Sequence, residues 1–288
     1  MSATRRTPTD ALATLLTAAV LTAAILVTSI GLVATPAHAD PGPPPASMAS
    51  LGDSITRGFN ACGWYVDCPS RSFSTGDDAE VNSHYLRIRT ANPAISGRNH
   101  NDGRSGATSA DMAGQAGTAV SQGVGYVTML IGANDACTSS ESGMTPVSTF
   151  RSNIDAALNR LRSGLPEARV FVISVPDIQR LWSVGRGNLA ARAAWSLFGI
   201  CQSMLANPTS NAQADVDRRS RVRQRVVDYN TQLAQACAAY GSNCLFDGNT
   251  VFSYPFTLGQ LSGWDYFHPN AAGQRVLAGI SYDAGFGW

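Results

Sequence analysis

Residues 169–175, Arg-Val-Phe-Val-Ile-Ser-Val, form a run of β-branched and aromatic side chains with hardly a polar position. A strand of that kind is buried on both faces, the environment of a parallel sheet covered by helices. Residues 47–51 and 126–131 read as shorter strands of the same type. Between these runs lie stretches of helical spacing. Residues 147–161 carry Phe150, Ile154, Leu158 and Leu161 on one stripe and stop at Gly164-Leu165-Pro166. Residues 215–240 carry Val222, Val226, Tyr229 and Leu233 in the same way. A last strand is expected at 244–247 and a closing helix at 271–280. The alternation predicts an α/β fold with a central parallel sheet, whose sites lie beyond the carboxyl ends of the strands.

The first 39 residues read as an export signal rather than as part of that fold. Arg5 and Arg6 precede an uncharged stretch from 11 to 34, and Ala37-His38-Ala39 then offers a small-x-small cleavage site. The stretch is long enough for a permanent membrane anchor, but the cleavage site favours removal and secretion. A Pro-rich leader follows at 40–47, and residues 48–288 hold no repeat and no second linker, so one domain is expected there. The 21 basic residues are all Arg and meet 20 acidic ones. Such a balance argues against a nucleic-acid partner, which would need an excess of cations. With 44% hydrophobic residues the chain is also not of disordered composition.

All six cysteines lie beyond residue 39. An even count in an exported protein reads as three disulfides. Cys62 with Cys68 and Cys237 with Cys244 are close enough to staple single loops, which leaves Cys137 with Cys201. Zinc is the alternative, but there is no C-x-x-C and no His beside a cysteine pair. No metal and no cofactor is expected.

Four segments carry chemistry. Gly52-Asp53-Ser54-Ile55 ends the first strand and places a serine at a strand-to-helix turn. A serine there is commonly a helix cap, and the G-x-S-x-G elbow is absent from the chain. Only His84, His100 and His268 follow residue 39, so a serine nucleophile has three candidate bases. His268 stands three residues after Asp265, a spacing at which the carboxylate can hold the far ring nitrogen. A loop beginning at Asn101 offers backbone N–H groups around Gly106, and Gly132-Ala133-Asn134-Asp135 ends another strand with a side-chain amide. Together they could form an oxyanion hole, although each also suits an ordinary turn.

Taken in order, Gly-Asp-Ser-Ile, Ser-Gly-Ala-Thr, Gly-Ala-Asn-Asp and Asp-Tyr-Phe-His-Pro resemble the four blocks of the SGNH (GDSL-type) hydrolase family. With an export signal and six cysteines, the chain is most similar to the secreted actinobacterial lipases and esterases of that family. The resemblance implies a flavodoxin-like three-layer α/β/α sandwich. It implies Ser54 as nucleophile and His268 with Asp265 completing a triad, with oxyanion donors at the Ser54 N–H, Gly106 N–H and Asn134 amide. Ile55 stands where the family block has Leu. Some relatives use a backbone carbonyl in place of the triad carboxylate, whereas Asp265 is present here.

The expected function is a secreted serine esterase acting as a monomer on lipid or other ester substrates, with transient lipid-surface contact as the one further partner. The alternatives are a polysaccharide deacetylase of acetyl-xylan type and a secreted binding protein without turnover. The segment carrying Leu181, Trp182, Leu189, Trp195, Leu197, Phe198, Met204 and Leu205 is expected to overhang the site, tethered by Cys137–Cys201, and to favour an acyl chain over a sugar. The competing reading makes Trp195, Phe198 and Leu205 the buried face of a helix. Arg218, Arg219, Arg221, Arg223 and Arg225 are read as a solvated face, with anionic head groups as the alternative.

Overall fold

Three strands are largely apolar and buried on both faces, their polar positions being Ser50, Thr128 and the half-buried Arg169. They are Met48–Gly52 (β1), Tyr126–Leu130 and Arg169–Ile173, which become β1, β3 and β4 once the edge strand Asn99–Asn101 (β2) is counted. Cys244–Phe246 (β5) completes a five-stranded sheet of order β2-β1-β3-β4-β5. All four pairings are parallel. This computed structural model describes residues 42–63 and 65–288. The expected signal segment and the first residues of the leader lie outside the described residues. Among the described residues, no helix is long and apolar enough to cross a membrane.

The order 2-1-3-4-5 reverses direction between β1 and β3, and ligands of such sheets bind where that switch leaves a crevice. Ser54 follows β1 and Asn134 follows β3, so the topology brings two of the sequence blocks to the same crevice.

Helix Val147–Gly164 buries Phe150, Ile154, Leu158 and Leu161, and helix Gln213–Tyr240 buries Val222, Val226, Tyr229 and Leu233. The two helices lock where Phe150 stacks on Tyr229 with ring centroids 4.2 Å apart, a contact worth about 1 kcal/mol beyond its buried area. Both run a few residues past their expected bounds, as does the closing helix Ala271–Asp283. Helices His84–Ala91 and Met112–Gln122 were not foreseen. The buried face of the second is Met112, Gln115, Ala116 and Ala119, too small and too polar to read as a stripe. Asn101 is the last residue of β2 rather than the start of a loop.

The three disulfides pair as expected: Cys62–Cys68, Cys137–Cys201 and Cys237–Cys244. The last ties the end of helix Gln213–Tyr240 to β5.

Two expectations need correction. The segment expected to overhang the site is divided between core and surface. Trp195, Met204 and Leu205 are core residues, whereas Leu189, Leu197 and Phe198 are exposed. Trp195 can be buried because its indole N–H donates to the Tyr266 carbonyl at 3.1 Å. The arginine cluster is a solvated face only in part, with Arg221 exposed and Arg223 partly so, and it is not a free cationic patch. Arg219 is buried, with its guanidinium 4.4 Å from the Trp182 ring centroid and donating to the Ser210 carbonyl. Arg218 pairs with Asp215, Arg221 with Glu141 and Arg223 with Asp177, and Arg225 donates to the Thr145 carbonyl.

Candidate active site

The end of β1 approaches β3 so closely that only glycine fits. A Cβ on Gly52, at φ +154°, would lie 2.4 Å from the Leu130 carbonyl oxygen. Gln115 clamps the same residue, accepting from its N–H at 2.7 Å and donating to its carbonyl at 2.9 Å. The chain then turns: Asp53 Oδ1 accepts the Ile55 N–H at 2.8 Å, and the Phe59 N–H donates to the Ser54 carbonyl. Gln274 holds the next carbonyl, donating to Ile55 at 2.9 Å. Ser54 emerges from this frame with its hydroxyl at the wall of a cavity of about 350 Å³.

Asp53 beside it is fully buried, and Asp53 Oδ2 has no hydrogen-bond partner among the described residues. Desolvation pushes its carboxyl up to about 6, opposed by the Ile55 hydrogen bond and by the nearby His268.

The second arm of the site is the loop before the closing helix. Leu261 bridges to Pro269, the Ser262 N–H donates to the His268 carbonyl at 2.8 Å, and Asn270 caps the helix through the Gly273 N–H. Within that loop Asp265 Oδ1 accepts from the Phe267 and His268 N–H groups at 3.0 and 3.1 Å. Its other oxygen lies 2.6 Å from His268 Nδ1, and His268 Nε2 lies 2.8 Å from Ser54 Oγ. Phe59 and Phe267 set their rings edge-on to the imidazole, with centroids at 4.8 and 5.1 Å. Of the three candidate histidines, His268 alone reaches Ser54. His84 is buried between Tyr126 and Ser281, and desolvation drives it down to about 3. His100 lies on β2.

Gly106 and Asn134 line the same cavity as Ser54 and His268. Gly106 takes φ +83°, a conformation suited to glycine. Neither its N–H nor that of Ser54 donates to an acceptor among the described residues. Asn134 spends one amide hydrogen on the Ala107 carbonyl at 2.8 Å, and the second remains for a ligand. Asp135 braces these two loops against each other, accepting from the Ser109 N–H and hydroxyl at 2.9 and 2.7 Å. Asp67 ties the Gly106 loop to the turn that follows Ser54, accepting from Arg57 and from the Ser105 hydroxyl.

All five residues singled out from the sequence therefore meet at one cavity: Ser54, Gly106, Asn134, Asp265 and His268. Sequence reasoning missed the residues that hold them, namely Asn60, Asp67, Gln115, Asp135 and Gln274. Of these only Asp135 stood inside a segment singled out from the sequence, as the last residue of Gly132-Ala133-Asn134-Asp135. Among the described residues no three His, Cys, Asp or Glu side chains group as metal ligands.

Residues 50–276 match the GDSL-like lipase/acylhydrolase family. No curated protein sequence matches the chain. Among solved structures, a catalytic mutant of an acetylxylan esterase from Geobacillus stearothermophilus is similar at 16% identity and TM-score 0.50. The match covers 83% of this chain and 93% of that one. An extracellular lipase from Streptomyces rimosus is 20% identical with TM-score 0.49, over 83% of this chain and 99% of that one. A phospholipase A1 from Streptomyces albidoflavus is 16% identical with TM-score 0.43, over 79% and 94% respectively. At 16% identity the likeness to the acetylxylan esterase bears on the fold alone.

Proposed function

This chain belongs to the GDSL-like lipase/acylhydrolase family, whose members hydrolyse esters, and we propose that it cleaves carboxylic esters of lipid-like acids with Ser54 as its nucleophile. The reading rests on one observation: a single imidazole bonds the Ser54 hydroxyl at 2.8 Å through Nε2 and the Asp265 carboxylate at 2.6 Å through Nδ1. That arrangement can move a proton off the serine while stabilising the imidazolium that results.

In the proposed reaction His268 Nε2 takes the Ser54 proton as Oγ attacks the ester carbonyl. The oxyanion is held by the Ser54 and Gly106 N–H groups and by the free hydrogen of the Asn134 amide. Collapse expels the alcohol, which takes the proton from His268 and leaves an acyl-serine. Water then gives a proton to His268 and attacks the acyl carbon, and return of that proton to Ser54 releases the acid.

An acyl chain suits the walls of the cavity better than a sugar does. Phe59, Tyr65, Phe198, Ile200 and Phe267 present apolar surface beside the polar reaction centre, and a carbohydrate would leave its hydroxyls there without partners. The exposed Tyr65, Val66, Leu197, Phe198 and Trp264 belong to the cavity walls or adjoin them, which fits brief contact with a lipid surface. The proposal includes secretion as a monomer after cleavage behind Ala39, with residues 48–288 as the catalytic domain.

A panel of p-nitrophenyl esters from acetyl to palmitoyl, with triglyceride, phospholipid and acetylated xylan beside it, tests the substrate class. Esters of medium or long chain are expected to turn over fastest. Acetylated xylan outpacing every acyl ester longer than four carbons would refute the lipid assignment.

A further inference from the structure

Asn60 makes a contact that a three-residue relay does not require. Its side chain is buried, and Nδ2 donates to Asp265 Oδ2 at 2.7 Å. This is the same oxygen that lies 2.6 Å from His268 Nδ1. The orientation of the amide follows from the partner, since reversing it would set two oxygens against each other at that distance. Asn60 Oδ1 has no partner among the described residues, so the carboxylate is the group that holds this side chain.

The backbone supports the placement. Asn60 stands at φ +63°, in the left-handed region that Asn tolerates better than most residues. Its N–H donates to the Val66 carbonyl and its carbonyl accepts from the Gly63 N–H, both at 3.0 Å. The Cys62–Cys68 disulfide closes this loop. One residue earlier, the Phe59 N–H donates to the Ser54 carbonyl at 2.9 Å. The turn that carries Ser54 thus also carries a donor for the far end of the relay.

The two Asp265 oxygens are held differently. Oδ1 is fixed by the N–H groups of Phe267 and His268 from its own loop. Oδ2, the oxygen that faces the ring, is held from outside that loop by Asn60. A carboxylate pinned at one oxygen only can still tilt, and a hydrogen bond to a charged acceptor is among the stronger ones available for preventing that. Asp53 on the serine turn and the Tyr65 phenol are the other titratable groups that interact with His268 and Asp265.

We propose that Asn60 is a positioning residue of the reaction, which keeps Asp265 Oδ2 in line with His268 Nδ1 and so couples the loop stapled by Cys62–Cys68 to the proton relay. The inference rests on the Ser54–His268–Asp265 reading above.

Asn60→Gly tests it without backbone strain, because glycine accepts the same positive φ. The expected result is a fall in kcat of about tenfold with KM within about twofold. The far-downfield proton resonance of the His268–Asp265 hydrogen bond should move or broaden in the same variant. A kcat within about twofold of the parent, or an unmoved resonance, would overturn the proposal. Asn60→Asp, which keeps the shape, covers the case in which the glycine variant does not fold. A carboxyl set against Asp265 Oδ2 at that distance must share a proton with it, so kcat should fall and an added ionisation should enter the kcat/KM profile, and an unchanged profile would count against the role. Ser54→Ala, assayed alongside, separates the two readings. If it keeps turnover, the nucleophile assignment fails, while the resonance still reports on Asn60.

Discussion

The Tyr65 hydroxyl donates to the Trp264 carbonyl oxygen at 2.7 Å, one residue before the carboxylate that holds His268. That carbonyl adjoins Asp265 in sequence, and here it is already engaged. Asp265→Ala is therefore expected to lower kcat by about 10³–10⁴, with little rescue from the backbone. A single Asp265→Ala variant within tenfold of the parent would contradict this reading.

Asn134→Ala is expected to lower kcat by about 10²–10³ while leaving KM for short esters little changed, because its free amide hydrogen acts on the developing oxyanion. The variant also loses the bond to the Ala107 carbonyl, so a melting curve should accompany the kinetics. A folded variant with near-parent kcat would remove Asn134 from the oxyanion set.

The Cys137–Cys201 bridge joins the loop that follows Asn134 to the wall that carries Phe198 and Ile200. It spans 64 residues of sequence, and closure of a loop of that length contributes roughly 4 kcal/mol on the chain-entropy view. Replacing both cysteines by serine should lower Tm by about 10 °C and reduce turnover of long-chain esters more than that of acetyl esters. An equal effect on both would show that the bridge stabilises without shaping the acyl site.

Two fully buried groups make opposed contributions to the pH dependence of stability. His84, held down to about 3 by burial, takes up a proton more readily unfolded than folded. Stability from this group rises with pH between about 3 and 6.5. Asp53, pushed up to about 6, holds its proton longer when folded, so its contribution falls as pH rises from about 3.8 to 6. Over that shared window the two largely cancel. Asp53→Asn removes the falling term, and its Tm should climb from pH 4 to pH 6 more steeply than that of the parent. Parallel curves for the two proteins would contradict the raised carboxyl.

How much of this was legible in the sequence depended on the reach of each signal. β3 and β4 announced themselves because strands buried on both faces are largely apolar, and two disulfides followed from short spacings, which left Cys137 with Cys201. The edge strand Asn99-His100-Asn101 is half-buried and carries no apolar residue, so no pattern marked it. The five residues at the cavity were visible because hydrolytic chemistry restricts their types. Their supports were not, since Asn60 meets Asp265 across 205 residues, Gln115 meets Gly52 across 63, and Gln274 meets Ile55 across 219. Amides joined over such separations satisfy buried polar groups that only the folded chain brings together.

The central claim is that Ser54 is the nucleophile and that His268 activates it. An organophosphate serine probe followed by peptide mapping tests it most directly. The account predicts a single adduct on Ser54, absent in Ser54→Ala and strongly slowed in His268→Ala, with kcat lowered about 10³-fold or more in both variants. An adduct on another serine, or ester turnover that survives in Ser54→Ala, would contradict it.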